Sequence, residues 1–334
     1  MALERATLLV GGVQRSYWVA SPAAGADPGG GSDAGSSAGA PAGPPAGPPA
    51  GPPAAARAPG LLVALHGLGM TGPHLAESTA LDQRGPRAGL LTVFPDALSE
   101  VWDDHGCGRR DGADDAAFIV QLIGTLERQG RAAPGATVLA GISNGACFAE
   151  RLARSGTVGP AALALVCGTA REASHSRCPA PAGGAAVLII AGTGDPLVPY
   201  GGGRARGALG LIARRRVRRA LLDFSGHESV APELIAAEWV AANGSSSPPT
   251  LERPAVDGPR ADHEPAVERV SWPGAAGGPP VVLYRILGGG HGWPGATGEQ
   301  YLAPRLIGRI PRRFDATAVV LEFAVAALAA RAKA

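Results

Sequence analysis

Three residues far apart in the chain have the types and settings that nucleophilic acyl transfer requires. They are a serine in Gly141-Ile142-Ser143-Asn144-Gly145, an aspartate in Gly192-Thr193-Gly194-Asp195-Pro196, and a histidine in the glycine-rich run GGGHGWPG at His291. A serine hydroxyl is a weak nucleophile at neutral pH and needs a base to take its proton as it attacks. A carboxylate bonded to the second ring nitrogen fixes the tautomer of that base and stabilises its protonated form. These roles fall to Ser143 as nucleophile, His291 as general base and Asp195 as the orienting acid. The tetrahedral intermediate also needs donors for its oxyanion. Here the backbone amide of Asn144 and that of Leu68, in the turn after LLVALHG, are the candidates.

The serine motif alone is weak. With 50 glycines in 334 residues, about 0.4 chance matches to G-x-S-x-G are expected. Its setting carries more weight, because the strand-like ATVLA precedes it and the helical ACFAERLAR follows. Strand, sharp turn and helix are what a strained, exposed nucleophile needs. Of the seven histidines, His66 is the main rival to His291, since it too ends an apolar run. It precedes the serine, whereas the order serine, acid, histidine is the one expected on an α/β-hydrolase sheet. His66 is therefore read as shaping its loop, and His74, His105, His175, His227 and His263 as surface residues.

The elements that must hold these groups are legible as a βαβ rhythm. Short apolar runs occur at 61–67, 90–96, 136–143, 161–168, 185–195 and 281–291. Most are apolar on both faces, which suits buried parallel strands covered by helices. Helices are predicted over 115–129, 144–154, 230–242 and 316–332. The first is marked by Asp114 and Asp115 as caps and by Phe118, Ile119, Leu122 and Leu126 at helical spacing. The expected fold class is α/β: an α/β-hydrolase fold with a mostly parallel central sheet and helices on both faces, filling 1–334 as a single catalytic domain. Two segments stand apart. Residues 22–59 form an Ala/Gly/Pro-rich insertion unable to build a core, and 245–278 reads as a surface excursion rich in Pro, Gly and charge.

Composition excludes several function classes. The formal charge of +2 is spread along the chain, and the basic run Arg214 to Arg219 reads as a solvated face, so nucleic acid is not an expected partner. No apolar stretch is long enough to span a membrane, and the opening residues lack a signal-peptide pattern. A cytoplasmic location and no membrane partner are the expectation, while oligomeric state is unreadable. The four cysteines show no C-x-x-C pair and no metal-ligand spacing, so neither metal nor organic cofactor is expected. Cys147 and Cys167 read as small core residues. Cys107 and Cys178 would pair only in an oxidising compartment and are taken as free thiols.

The motifs LHGLGMTG, FPDALSEVWDD, DDAAFI, GISNGACFAERLA, GTGDPLVPYGG and above all GGGHGWPG resemble the polyhydroxybutyrate depolymerase, feruloyl esterase and acetylxylan esterase family of α/β-hydrolases. That resemblance covers most of the patterned chain. It implies a carboxylester hydrolase with Ser143, Asp195 and His291 as triad, Leu68 and Asn144 as oxyanion donors, and Trp102 and Trp293 as walls of the acyl pocket. Members are often secreted and disulfide-linked, whereas no export pattern opens this sequence and free thiols are expected. The substrate is correspondingly open among hydroxybutyrate oligomers, feruloyl or acetyl esters and small esters. Thioester or peptide cleavage by the same triad, and a non-catalytic binding protein with a hydrolase shell, are the alternatives.

Overall fold

The computed structural model describes residues 3–23, 58–104, 114–204, 228–254, 265–296 and 304–333. Most of the 22–59 insertion, the run Arg214–Arg219, and residues Cys107, His105, His227 and His263 lie outside the described residues.

The six apolar runs form the parallel centre of a ten-stranded sheet. The strands are β1 (Glu4–Val10), β2 (Val13–Ala20), β3 (Gly60–Leu65), β4 (Leu90–Pro95), β5 (Thr137–Ile142), β6 (Ala162–Val166) and β7 (Ala186–Gly192). They continue with β8 (Gly203–Arg204), β9 (Glu228–Ser229), β10 (Thr250–Glu252), β11 (Ala266–Trp272) and β12 (Val281–Leu287). The sheet order is β1-β2-β4-β3-β5-β6-β7-β12-β11-β10, and β8 pairs with β9 separately. Strands β4, β3, β5, β6, β7 and β12 run parallel, while both edges are antiparallel. Every residue of β4 to β7 is buried, which accounts for their lack of polar alternation.

Helices cover both faces. Labelled in chain order they are α1 (Gly72–Thr79), α2 (Leu81–Arg87), α3 (Asp115–Arg128), α4 (Asn144–Arg154), α5 (Glu172–His175), α6 (Pro232–Ala242), α7 (Pro304–Ile307) and α8 (Ala316–Arg331). One core layer joins Leu61, Val63, Leu65 and Leu139 to Phe118 and Leu122 of α3, Phe148 and Leu152 of α4, and Ile235 and Trp239 of α6. The other joins Leu62, Val138, Leu188 and Ile190 to Leu75 of α1, Leu81 of α2, and Val320 and Leu321 of α8. Alternate residues of a single strand thus feed opposite layers, as the pleat requires. Asp114 caps α3 by accepting from Ala117 N–H at 2.8 Å, and Asp315 caps α8 by accepting from Ala318 N–H at 2.9 Å.

The segment 245–278 departs from its reading as an excursion. Its described part supplies β10 and β11, and β11 pairs along its whole length with β12, from Ala266 opposite Leu287 to Trp272 opposite Val281. Val267 and Val270 are buried in opposite core layers. Two buried valines among charges give a weak pattern, yet the strand they anchor covers the edge of β12.

Candidate active site

Strands β5, β6, β7 and β12 are consecutive neighbours in the sheet, and because they are parallel their carboxyl ends share one edge. Ser143 follows β5, Cys167 follows β6, Asp195 lies just past β7 and His291 just past β12. Sheet order therefore assembles the group that chain order scatters.

Ser143 sits at φ 55° and ψ −120°, a conformation costly for any residue with a Cβ. The flanking glycines make it possible. A Cβ on Gly145 would collide with the carbonyl oxygens of Leu65 and His66, and one on Gly141 with the Gly145 backbone. Although Ser143 caps α4, its hydroxyl makes no capping bond to the helix. It is paired instead with His291 Nε2 at 2.9 Å, and His291 Nδ1 is paired with Asp195 Oδ2 at 2.7 Å. The other Asp195 oxygen accepts from Leu197 N–H at 2.8 Å and Val198 N–H at 2.9 Å. Those two bonds fix the carboxylate face presented to the ring. All three residues are buried. The glycines before His291 permit a backbone crossing, since a Cβ on Gly290 would collide with the Ile307 carbonyl oxygen.

The loop after β3 packs against Ser143: a Cβ at Gly67 would lie 3.6 Å from Ser143 Cβ. Among the described residues, the amides of Leu68 and Asn144 have no hydrogen-bond acceptor, whereas Gly69 N–H donates to Glu100 O at 2.8 Å and Met70 N–H to Gly67 O at 3.1 Å. His66 holds this loop from within. Its Nε2 accepts from Ala97 N–H at 3.1 Å, which leaves Nδ1 to donate to Gly67 O at 2.8 Å. Burial pulls its pKa down to about 4, so the ring is neutral, in keeping with a loop-shaping role.

Trp102 and Trp293 are placed otherwise than as pocket walls. Trp102 is 1% exposed, stacks on Phe148 with centroids 5.2 Å apart, and gives its indole N–H to His66 O at 3.0 Å. Trp293 is 2% exposed and gives its indole N–H to Thr317 Oγ1 at 2.9 Å. Both rings brace the scaffold, because burying their large apolar surface while pairing the one donor is the favourable use of an indole.

Several supporting groups had no signal in the sequence. The Asn144 side chain pairs with the Trp102 backbone, and buried ion pairs flank that segment: Arg15 with Asp115 at 2.7 Å and Arg171 with Asp104 at 3.0 Å. Asp115, read from the sequence as a second cap of α3, instead spends its carboxylate on Arg15 and on Asp103 N–H at 2.9 Å, and Asp114 caps alone. Cys167, read as a core residue, is buried beside Asp195 and His291, with its thiol on the Gly292 carbonyl at 3.0 Å. Cys178 is a half-buried free thiol. Among the described residues, no helix is long and apolar enough to cross a membrane.

No protein-family model matches the chain. A protein of Nocardia uniformis subsp. tsuyamanensis named "Putative esterase NocK" is 26% identical over 271 residues, covering 79% of this chain and 73% of its own. Thermogutta terrifontis esterase 2 superposes with a TM-score of 0.51 at 14% identity, over 96% of this chain and 92% of that one. An acetyl xylan esterase from Aspergillus awamori gives a TM-score of 0.49 at 12% identity, over 90% and 96% of the two chains. With the sheet order above, the esterase 2 likeness identifies an α/β-hydrolase fold.

Proposed function

We propose that this chain is a serine carboxylesterase working through an acyl-enzyme, with Ser143, His291 and Asp195 as its triad. The observation that carries the reading is the unbroken row from Ser143 Oγ through the His291 ring to Asp195, with contacts of 2.9 and 2.7 Å. The NocK relative, itself named as an esterase, supports the bond type.

In the first half-reaction Ser143 Oγ attacks the ester carbonyl as His291 Nε2 takes its proton. The C–O bond to the alcohol then breaks, and Nε2 returns the proton to the departing alkoxide. Water repeats the sequence on the acyl-enzyme, releasing the acid and free Ser143. Asp195 keeps the Nδ1 proton in place throughout and offsets the charge of the imidazolium. The Leu68 and Asn144 amides, both without an acceptor among the described residues, serve the oxyanion. Each such donor contributes about 2.7 to 4 kcal/mol to the transition state.

Hydrolysis of p-nitrophenyl acetate and butyrate, with Ser143→Ala in parallel, is the direct test. Undiminished turnover by the variant would exclude the mechanism. A panel of aryl acetates, feruloyl esters and hydroxybutyrate oligomers, with a thioester and a peptide added, then ranks the acyl and alcohol groups accepted.

A further inference from the structure

The thiol of Cys167 has no task in the acyl-transfer scheme, yet it adjoins the His291–Asp195 pair. Cys167 follows β6 directly, at φ 50°. Its Sγ donates to the Gly292 carbonyl at 3.0 Å and accepts from the Gly292 amide at 3.4 Å, next in chain to His291. One ligand atom from each of Cys167, Asp195 and His291 lies within 4.8 Å of the other two, and all three residues are buried. Among the described residues, no other set of His, Cys, Asp and Glu converges in this way.

We propose that Cys167, Asp195 and His291 form an inhibitory site for a soft or borderline divalent cation of the zinc or cadmium type. Binding follows from the three side chains alone; inhibition rests on the triad reading given above. A thiolate, an imidazole and a carboxylate are a donor set that such ions select over magnesium or calcium. Bonds of about 2.0 to 2.3 Å put tetrahedral ligands roughly 3.5 Å apart, so separations of up to 4.8 Å close by about 1 Å while the Asp195–His291 pair opens from 2.7 Å by about as much. Charge fits as well, because one thiolate and one carboxylate neutralise a dication where uncompensated charge is costly.

The exchange balances in protons. At rest the Cys167 thiol carries the proton that it donates to the Gly292 carbonyl. On binding, the S–H bond breaks, a sulfur–metal bond forms and that proton leaves to solvent. At His291 the Nδ1 lone pair becomes a ligand and the ring proton moves to Nε2. A protonated Nε2 has no lone pair for the Ser143 hydroxyl, and Asp195 no longer orients the ring. Ion binding and acyl transfer exclude one another.

The test titrates the full-length Ser143→Ala chain with Cd²⁺ and follows ultraviolet thiolate-to-metal charge-transfer absorption, which needs no turnover. The band should saturate at one equivalent, vanish in the added Cys167→Ser variant and weaken with His291→Ala. In the wild type, Cd²⁺ should abolish p-nitrophenyl acetate hydrolysis over the same concentration range, and EDTA should restore it. Absence of the band, or a band unchanged by Cys167→Ser, overturns the site. Should Cys167→Ser fail to fold by circular dichroism, Asp195→Ala and His291→Ala decide, and a band unaffected by both overturns it. A band lost with Cys167 but without loss of hydrolysis overturns the inhibition. If the wild type cleaves no ester, the esterase reading fails while the band still decides the site.

Discussion

Asn144 and Trp102 are joined by two hydrogen bonds. Trp102 N–H donates to Asn144 Oδ1 at 2.9 Å, and Asn144 Nδ2 donates back to the Trp102 carbonyl at 3.1 Å. The residue after the proposed nucleophile is thereby tied to the segment whose indole holds the His66 carbonyl. One side chain links the nucleophile turn to the loop bearing Leu68.

Asn144→Ala leaves the Trp102 backbone pair buried without partners, at a cost of about 1 to 3 kcal/mol per group. We expect a lower Tm and a fall in kcat larger than any rise in KM, because the oxyanion donors shift while ground-state contacts persist. Trp102→Phe should lower Tm with KM for short esters unchanged. A rise in KM with Tm unaltered would return Trp102 to the acyl pocket.

Ser143 is held at positive φ, and that strain offers a test that separates stability from activity. Ser143→Gly relieves a conformational cost of about 1 to 3 kcal/mol and should raise Tm by about 2 to 4 °C. Ser143→Ala keeps the strain and should leave Tm near that of wild type. Both should reduce ester hydrolysis by at least about a thousandfold and abolish fluorophosphonate labelling. Scanning calorimetry alongside p-nitrophenyl acetate assays checks both halves.

Asp195 serves His291 with one oxygen and the amides of Leu197 and Val198 with the other. Asp195→Asn can retain the two backbone bonds through its carbonyl oxygen while turning an amide N–H toward Nδ1. The ring then holds the wrong tautomer. Activity should drop by about 10⁴ with only a small change in unfolding midpoint, and a loss under tenfold would remove Asp195 from the triad.

Acid should weaken the fold through His66. Its pKa lies near 4 in the folded protein against an ordinary 6.5, so between these values the unfolded chain binds a proton that the folded one refuses. Stability therefore rises with pH through this window. The contribution is complete above pH 6.5, falls away as pH approaches 4, and amounts to about 3 kcal/mol. Protonation also costs Nε2 its role as acceptor for Ala97 N–H. Urea unfolding across pH 4 to 7 should show the slope in the wild type and a flatter one in His66→Gln.

The central strands were legible because burial on both faces leaves an uninterrupted apolar run, and the start of α3 because Asp114 is a local cap. Strand β11 was not, since it shows only two buried valines among charges. Trp102 and Trp293 illustrate a different limit. An indole in a motif near the site reads equally well as a pocket wall or a brace, and the partners that decide, His66 and Thr317, come from other segments.

The types and local settings of Ser143, Asp195 and His291 were determined by the sequence alone, since a strained turn needs its glycines and a strand end its turn residues whatever lies beyond. Their meeting was decided only in three dimensions. Ser143 and His291 are 148 positions apart, and Asp195 and His291 are 96 apart; the order of β5, β6, β7 and β12 in the sheet closes both gaps. The same ordering set Cys167 beside the pair, and the pairing of β4 with β3 set Trp102 beneath the loop. Strand pairing and side-chain packing act through space, and no local spacing along a chain encodes which distant segment will lie alongside.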